Sequence, residues 1–457
     1  MSNTIPHEDL VIFKTKNITP RQDIVIKEQK GYYQRIRRIL SFTLLFMFIA
    51  LPFINYQGEQ AILFDVGKQT LRVFSITLYP QDLFIFALVF AFAAFALFWV
   101  STRYGRVWCG YACPQTVWML MFTWFEFRIE GNRQQRLKLN KQSMSFDKLS
   151  KKVAKHVVWL VIATLTAIVF MSYFYPARSI YSEFLSMELS LIIQGWIAFF
   201  ALCTYGNAGF LREKMCEHAC PYARFQSVMF NSATSVITYD TDRGEGRGPR
   251  KRNKDKPEGL GDCVDCKLCV DVCPVGIDIR DGLQYQCISC GLCIDACDDT
   301  MDKFGYQKRL IKYSAQTNAD KFKSTKIGYI TILVTLTLLS VFWWQSRTNF
   351  EISLLKDRNA LFSINQDGKY QNSYQLKILN KEQRSFSGKL SIVDNDGFYV
   401  TREKSIYLPA KEQVVLPITL VAKSTDIPYQ NKLKLRLSTS GKEAITQDIN
   451  TVFYGQE

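Results

Sequence analysis

Eight of the 13 cysteines fall between positions 263 and 297 in two copies of one spacing, Cys263-x2-Cys266-x2-Cys269-x3-Cys273-Pro274 and Cys287-x2-Cys290-x2-Cys293-x3-Cys297. A bacterial two-cluster ferredoxin has this arrangement, with each run giving three thiolates to one [4Fe–4S] cluster and its fourth to the other. The spacing therefore predicts one cluster on Cys263, Cys266, Cys269 and Cys297, and a second on Cys287, Cys290, Cys293 and Cys273. Structural zinc sites pair two CxxC units across a long spacer instead. Two neighbouring clusters form a short electron relay. One local departure is Asp298, which stands where proline would follow the last cysteine.

The rest of the chain alternates between very apolar and very polar blocks. Five blocks approach the roughly 20 residues that cross a hydrocarbon core: about 39–54, 83–100, 157–175, 189–205 and 327–344. Some 38 mostly polar residues precede the first block and no small-residue cleavage site follows it, so it reads as a retained span rather than a signal peptide. Lys and Arg are dense before the first span, sparse before the second, dense before the third and sparse before the fourth. By the positive-inside rule the N-terminus, residues 101–156 and residues 206–326 are expected in the cytoplasm, and the segment after the fifth span outside. The net charge of +16 is thus a topological signal and implies no nucleic-acid partner. Cysteine usage agrees, since none lies in the exported segment.

The membrane part contains a weak duplication. Spans one and two lead to Cys109-Gly-Tyr-Ala-Cys113-Pro114, and spans three and four to Cys216-Glu-His-Ala-Cys220-Pro221. Aromatic and Met-rich segments follow both copies, at Thr116–Phe127 and Tyr222–Phe230, the first expected at the interface. Such repeats usually associate about a pseudo-twofold axis, which would bring the pairs together. Proline favours the first helical position, so Cys113 and Cys220 should sit at helix N-termini, where the dipole lowers a thiol pKa. Four soft thiols at Cys109, Cys113, Cys216 and Cys220 suit Cu(I). Met119, Met121, Met215, Met229 and His218 are nearby further donors. The competing reading is that small Cys and flexible Met fill space at membrane helices, as Cys203 is expected to do. With histidines only at 7, 156 and 218, no bis-histidine haem is expected.

The expected fold class is a multi-domain membrane protein: a cytoplasmic segment (1–38), an α-helical bundle (39–235), a basic linker (236–260), an α+β two-cluster ferredoxin domain (261–326), a fifth span (327–345) and an exported domain (346–457). The run 243–256 reads as a solvated linker. Period-two stretches at Tyr374–Leu379, Lys389–Val393, Gln413–Leu420 and Lys432–Leu437 predict a β-sandwich, with turns at 394–397 and 440–442.

Gln81-Asp82, Gly105–Trp118, Glu130-Gly-Asn-Arg133, Cys216–Met229, Tyr239–Gly248 (YDTDRGEGRG) and the double ferredoxin run together resemble the cytochrome c oxidase accessory proteins, the CcoG family, also called FixG or RdxA. The resemblance runs from about residue 20 to the end. It implies that the exported domain is immunoglobulin-like, and that the chain is a cupric reductase supplying Cu(I) for assembly of a cbb3-type cytochrome oxidase. It also implies that the thiols of Cys109, Cys113, Cys216 and Cys220 handle the copper. The expected partners are the lipid bilayer, a cytoplasmic electron donor and the oxidase's copper-delivery and assembly proteins; a homo-oligomer is compatible with the sequence. Two other readings stay open, a quinol-linked ferredoxin subunit of an anaerobic respiratory chain and a non-redox assembly factor.

Overall fold

The computed structural model describes residues 24–252, 257–315, 323–348, 350–357, 360–393, 396–401, 405–424, 426–440 and 446–456. Most of the predicted N-terminal segment, His7, residues 253–256 of the basic run, and parts of the turns at 394–397 and 440–442 lie outside these residues. The chain divides into two compact units, residues 1–340 and 341–457.

Five described helices are long and apolar enough to cross a membrane: Tyr32–Phe53, Pro80–Tyr104, Phe146–Met171, Leu191–Ala219 and Thr325–Ser346. Each contains or overlaps a predicted span, and the differences have local causes. The third starts at Phe146 rather than near 157, because Ser145 caps it by accepting the Lys148 N–H and its polar first turns simply continue the helix. The fourth runs past 205 through two π-helical stretches, Tyr205–Leu211 and Met215–Ala219. Asp82 is buried and accepts the Tyr79 N–H at 3.2 Å, which fixes the entry to the second span and gives the Gln81-Asp82 pair its role. Phe42, Phe46, Phe84 and Phe90 are exposed along their helices, as lipid-facing side chains would be.

A small antiparallel sheet (Ile62–Asp65, Thr70–Val73, Ile76–Leu78) joins spans one and two, a feature that charge counting alone does not predict. It docks on the end of span three, where Phe64 N–H donates to Tyr173 O at 2.7 Å and Gln60 Nε2 donates to Ser172 O at 2.7 Å. The core of the bundle joins both repeats. Phe122 of the helix Pro114–Ile129 packs on Trp159 of span three, with Ala163, Ala167 and Ile168 from that span and Ile197 and Ala201 from span four.

Buried ions tie the same elements together. Glu126, 1% exposed, accepts from both Arg136 and Arg212. Glu130 of the Glu-Gly-Asn-Arg run meets Lys152 at 2.9 Å and Lys155 at 3.0 Å. Burial alone would raise the Glu130 pKa, yet the two ammonium groups hold it below the ordinary carboxylate value. In the same run, Asn132 caps the next helix by accepting the Gln135 N–H at 3.0 Å.

The ferredoxin region belongs to the same compact unit as the bundle, and the expected linker before it is built structure. Val236–Tyr239 pairs antiparallel with Ile311–Ser314, so a strand on each side closes the cysteine-bearing loops. Arg243 Nε meets Asp262 at 2.8 Å, Arg247 stacks on Tyr239, and Arg250 donates to Gly261 O at 2.6 Å and Cys263 O at 2.9 Å. The first part of the basic run is therefore a strap around the first cysteine set and not a solvated linker. Gly261 permits the strap to close, because a Cβ there would lie 2.0 Å from Glu245 O.

The second unit is a β-sandwich. One sheet orders Phe398–Val400, Gln413–Ala422, Tyr370–Asn380 and Phe350–Lys356, with Ser363–Ile364 beside Tyr370–Asn380. The other orders Ile406–Leu408, Phe386–Val393, Gln430–Ser440 and Thr446–Tyr454. Leu376, Ile378 and Leu420 from one sheet and Leu390, Leu435 and Phe453 from the other share one core. Each such side chain contributes about 1.5–3 kcal/mol of burial. Asn372 links the sheets, its Nδ2 donating to Tyr454 O at 2.8 Å while its Oδ1 accepts the Tyr454 N–H at 3.1 Å.

Candidate iron-sulfur relay and thiol site

The eight ferredoxin cysteines divide between two cavities. One, with about 350 Å3 of atom-free space, is lined by Cys263, Cys266, Cys269 and Cys297 together with Arg280 and Thr300. The other, about 340 Å3, is lined by Cys273, Cys287, Cys290 and Cys293 among Ile237, Val275, Ile277 and Leu292. Cys269 borders both, so the cavities share a wall. The helix Leu292–Phe304 carries Cys293 toward one and Cys297 toward the other, four residues on.

The electrostatics of the two sets suit an iron–sulfur core. Burial pushes Cys269, Cys273 and Cys297 up to about 12 and Cys287 up to about 11, and neighbouring thiols add to the rise. Buried thiols that repel one another as thiolates need a cationic centre before they ionise. Among the described residues, no three His, Cys, Asp or Glu side chains gather closely enough to hold a single metal ion. Four thiols around one cavity fit a polynuclear group. Arg280 steadies the first bed through Asp265 at 2.6 Å and Asp278 at 2.7 Å. These contacts hold the Asp278 carboxyl below its ordinary value against the opposing effect of burial.

The paired motifs lie against the second cavity. Cys109 is 6% exposed and shares a core with Val275, Ile288 and Cys290. Gly110 has no room for a side chain: a Cβ there would be 2.6 Å from Ile288 O and 3.1 Å from Cys290 Cα. The Cys109 thiol donates to Gln226 Oε1 at 3.1 Å, and Gln226 Nε2 donates to Ser101 Oγ at 2.9 Å. Gln226 belongs to the helix Pro221–Val228 that follows the second motif, so this bond links the two copies. Cys113, Cys216 and Cys220 all lie within electrostatic reach of Cys109, which places the two pairs in one neighbourhood. Arg106 sits among them. It is 3% exposed, its Nη1 donates to Tyr285 O at 2.6 Å, and its charge acts on Cys109, Cys216 and Cys287.

Cys113 and Cys220 are the N-caps of Pro114–Ile129 and Pro221–Val228, each with proline in the first turn. The expected fall in thiol pKa does not follow at Cys113. Burial raises it, and the backbone N–H groups of Thr116 and Gln115 only partly offset that. Cys109 is pushed by burial up to about 12. Desolvation therefore outweighs the helix terminus at this pair. Of the methionines, Met119 and Met121 line a cleft beside the first span. His218 is largely exposed, 3.9 Å from Glu217.

Sequence reading singled out neither Arg37, Arg106, Gln226 nor Asp295. Arg37 is fully buried and its Nε donates to Gly110 O at 2.9 Å. Asp295 accepts the N–H groups of Tyr33 and Gln34 at 3.2 and 2.9 Å, capping the first span from a residue of the cluster helix. Residue 31 must be glycine for this approach, since a Cβ there would overlap Asp295 at 2.2 Å. Only the Cys-rich and Cys-Pro patterns near these residues hinted at them.

Fold and site together define a membrane-anchored iron–sulfur protein of the dicluster type with an immunoglobulin-like C-terminal domain. Residues 211–316 match the family model described as a 4Fe-4S dicluster domain, and residues 340–456 the model described as the IG-like fold at the C-terminal of FixG. The chain is 34% identical over 415 residues to the nitrogen fixation protein FixG of Rhizobium meliloti, covering 80% of this chain and 79% of that one. It is 31% identical to protein RdxB of Cereibacter sphaeroides, covering 91% and 92% of the two chains, and 32% identical to RdxA of the same organism, covering 84% and 85%. A crystal structure of a FixG-related protein from Vibrio parahaemolyticus aligns along its whole length with 24% of this chain, at 21% identity and a TM-score of 0.22. The chain belongs to the FixG/RdxA family.

Proposed function

We propose that this protein is an inner-membrane cupric reductase serving assembly of a cbb3-type cytochrome oxidase, with its ferredoxin region in the cytoplasm and its β-sandwich in the periplasm. Cys263, Cys266, Cys269 and Cys297 would hold one [4Fe–4S] cluster, and Cys273, Cys287, Cys290 and Cys293 the other. When bound, these clusters supply one-electron transfer. Two or more of Cys109, Cys113, Cys216 and Cys220 would hold copper, which arrives as Cu(II), takes one electron from the relay and leaves as Cu(I). Sulfur ligands favour the reduced ion and so raise its potential. Arg106 carries a fixed positive charge beside Cys109, Cys216 and Cys287, which favours ionised thiols on both sides of the gap.

The observation that supports this reading is the packing of Gly110 against Ile288–Cys290, with Cys109 in the same core as Cys290. The test is the double substitution Cys113→Ser with Cys220→Ser in anaerobically purified protein. Copper reduction, followed as Cu(I) formed per cluster oxidised, should vanish while cluster absorbance stays. Unchanged Cu(I) formation in that variant would reject the site.

A further inference from the structure

A cleft with about 1350 Å3 of atom-free space, part of it open, separates the first span from the helix Pro114–Ile129. Its walls are mainly apolar, with Phe42 and Leu45 on one side and Val117 and Phe125 on the other. Pro274 and Leu292 also line it. Pro274 follows Cys273 and Leu292 precedes Cys293, so this wall lies one residue away from two cysteines of the second cavity. Phe42 is largely exposed, as expected where the cleft meets lipid.

Three side chains on the first-span wall carry buried polar atoms without hydrogen-bond partners. Arg37 is fully buried, and beyond its bond to Gly110 O its Nη1 and Nη2 have none. The same holds for Ser41 Oγ and Gln34 Oε1. Positions 34, 37 and 41 are three and four residues apart, so they share one helix face. Unsatisfied buried polar groups in an apolar cleft call for a ligand that supplies the missing bonds. Arg38, the neighbouring cation, is already paired with Glu28 at 2.8 Å. The set mixes donors (Arg37, Ser41) with an acceptor (Gln34). A fully ionised phosphate only accepts. A hydroquinone does both, since its hydroxyl oxygens accept from Arg37 and Ser41 and its hydroxyl hydrogens can be donated to Gln34 Oε1.

We propose that this cleft binds the ring of a membrane quinol, with Arg37, Ser41 and Gln34 bonding its hydroxyl groups, and that the quinol is the electron donor to the cluster relay. This rests on the relay reading above and replaces the cytoplasmic donor expected from sequence; it does not depend on copper being the acceptor. The quinol loses two electrons and two protons to become the quinone. The two electrons would leave singly by way of the Cys273/Cys293 side, and the [4Fe–4S] groups that the two cysteine sets would hold supply two one-electron acceptors for them. The protons pass to water beside Glu28, a half-exposed carboxylate that lines the cleft. Two one-electron sites next to a two-electron donor match a downstream acceptor that takes single electrons.

The test uses the full chain in detergent, prepared without oxygen, with 2,3-dimethyl-1,4-naphthoquinone and its quinol as probes. Quinone binding is read by quenching of tryptophan fluorescence, since Trp124 lines the cleft, and electron entry by bleaching of cluster absorbance. Wild type should show saturable quenching, and quinol should bleach the clusters. Arg37→Gln should weaken binding at least tenfold. Because Arg37 also holds Gly110, Ser41→Phe provides a second variant that fills the cleft and breaks no hydrogen bond, and it should weaken binding as much while dithionite still bleaches fully. Absent saturable binding, or wild-type affinity in Ser41→Phe, overturns the site. So does a stoichiometric phospholipid lost in Arg37→Gln with quinone binding unchanged. Binding without bleaching by quinol, where dithionite bleaches, overturns the donor role. If dithionite does not bleach wild type, the relay reading falls and the donor role with it.

Discussion

The two Cys-x3-Cys-Pro copies began as equivalents and now do different work. In the first, Cys109 is buried, bonded to Gln226, and followed by a glycine pressed against the cluster bed. In the second, Cys216 lies on a π-helical turn, Glu217 stands where the first copy has Gly110, and exposed His218 stands where it has Tyr111. Glu217 Oε1 accepts from Gln286 Nε2 at 3.0 Å, so the second copy touches the ferredoxin region through a polar side chain instead of packed backbone. The first copy is fixed by packed backbone, and the second sits on a π-helical turn held by a side-chain hydrogen bond.

The largest test of this asymmetry is Gly110→Val. Its branched side chain would strike the Ile288–Cys290 backbone, and a loss of about 3 kcal/mol or more is expected, together with loss of the second cluster's absorbance. Glu126→Ala strips the buried acid shared by Arg136 and Arg212 and should destabilise by about 3 kcal/mol in a denaturant series, because it removes the acid facing Arg212 and leaves buried Arg136 only its 3.6 Å contact to Glu130. Gln226→Ala should cost about 1–2 kcal/mol and speed alkylation of Cys109 several-fold, as read by mass spectrometry. The mirror change in the second copy, Glu217→Ala, should cost under about 1 kcal/mol and leave both clusters in place. Equal costs at positions 110 and 217 would break the comparison.

A pH scan gives the smallest effect. Folded Glu130 binds its proton more weakly than it does in the unfolded chain, so its contribution is fully present above the ordinary carboxylate value and is lost as pH falls through the lowered folded value. Melting of wild-type protein should therefore drop more steeply in acid than that of Glu130→Gln.

Local spacing carried much of this architecture. The double Cys run and the two cavities group the same thiols, with Cys273 beside the second set and Cys297 beside the first, and such grouping depends on short intervals along the chain. The spans and four sandwich strands were legible for the same reason. Contacts between distant segments were not. Nothing near Arg37 announces Gly110, and nothing near Asp295 announces the first span, since each pairing joins segments far apart in sequence. The strap Arg243–Arg250 read as a linker because its charges are matched by backbone carbonyls and acids elsewhere in the chain. At Cys113 the helix-terminus rule was right about placement and wrong about acidity, because burial is a property of the fold and is not visible in the motif.

Asp295 merits a last consequence. By gripping the first amides of the first span from within the cluster helix, it makes a lipid-embedded rod and a redox bed one mechanical part. Tilting of the rod as bilayer thickness changes would carry the bed along with it, because hydrogen bonds to the helix's own first amides leave no slack between them.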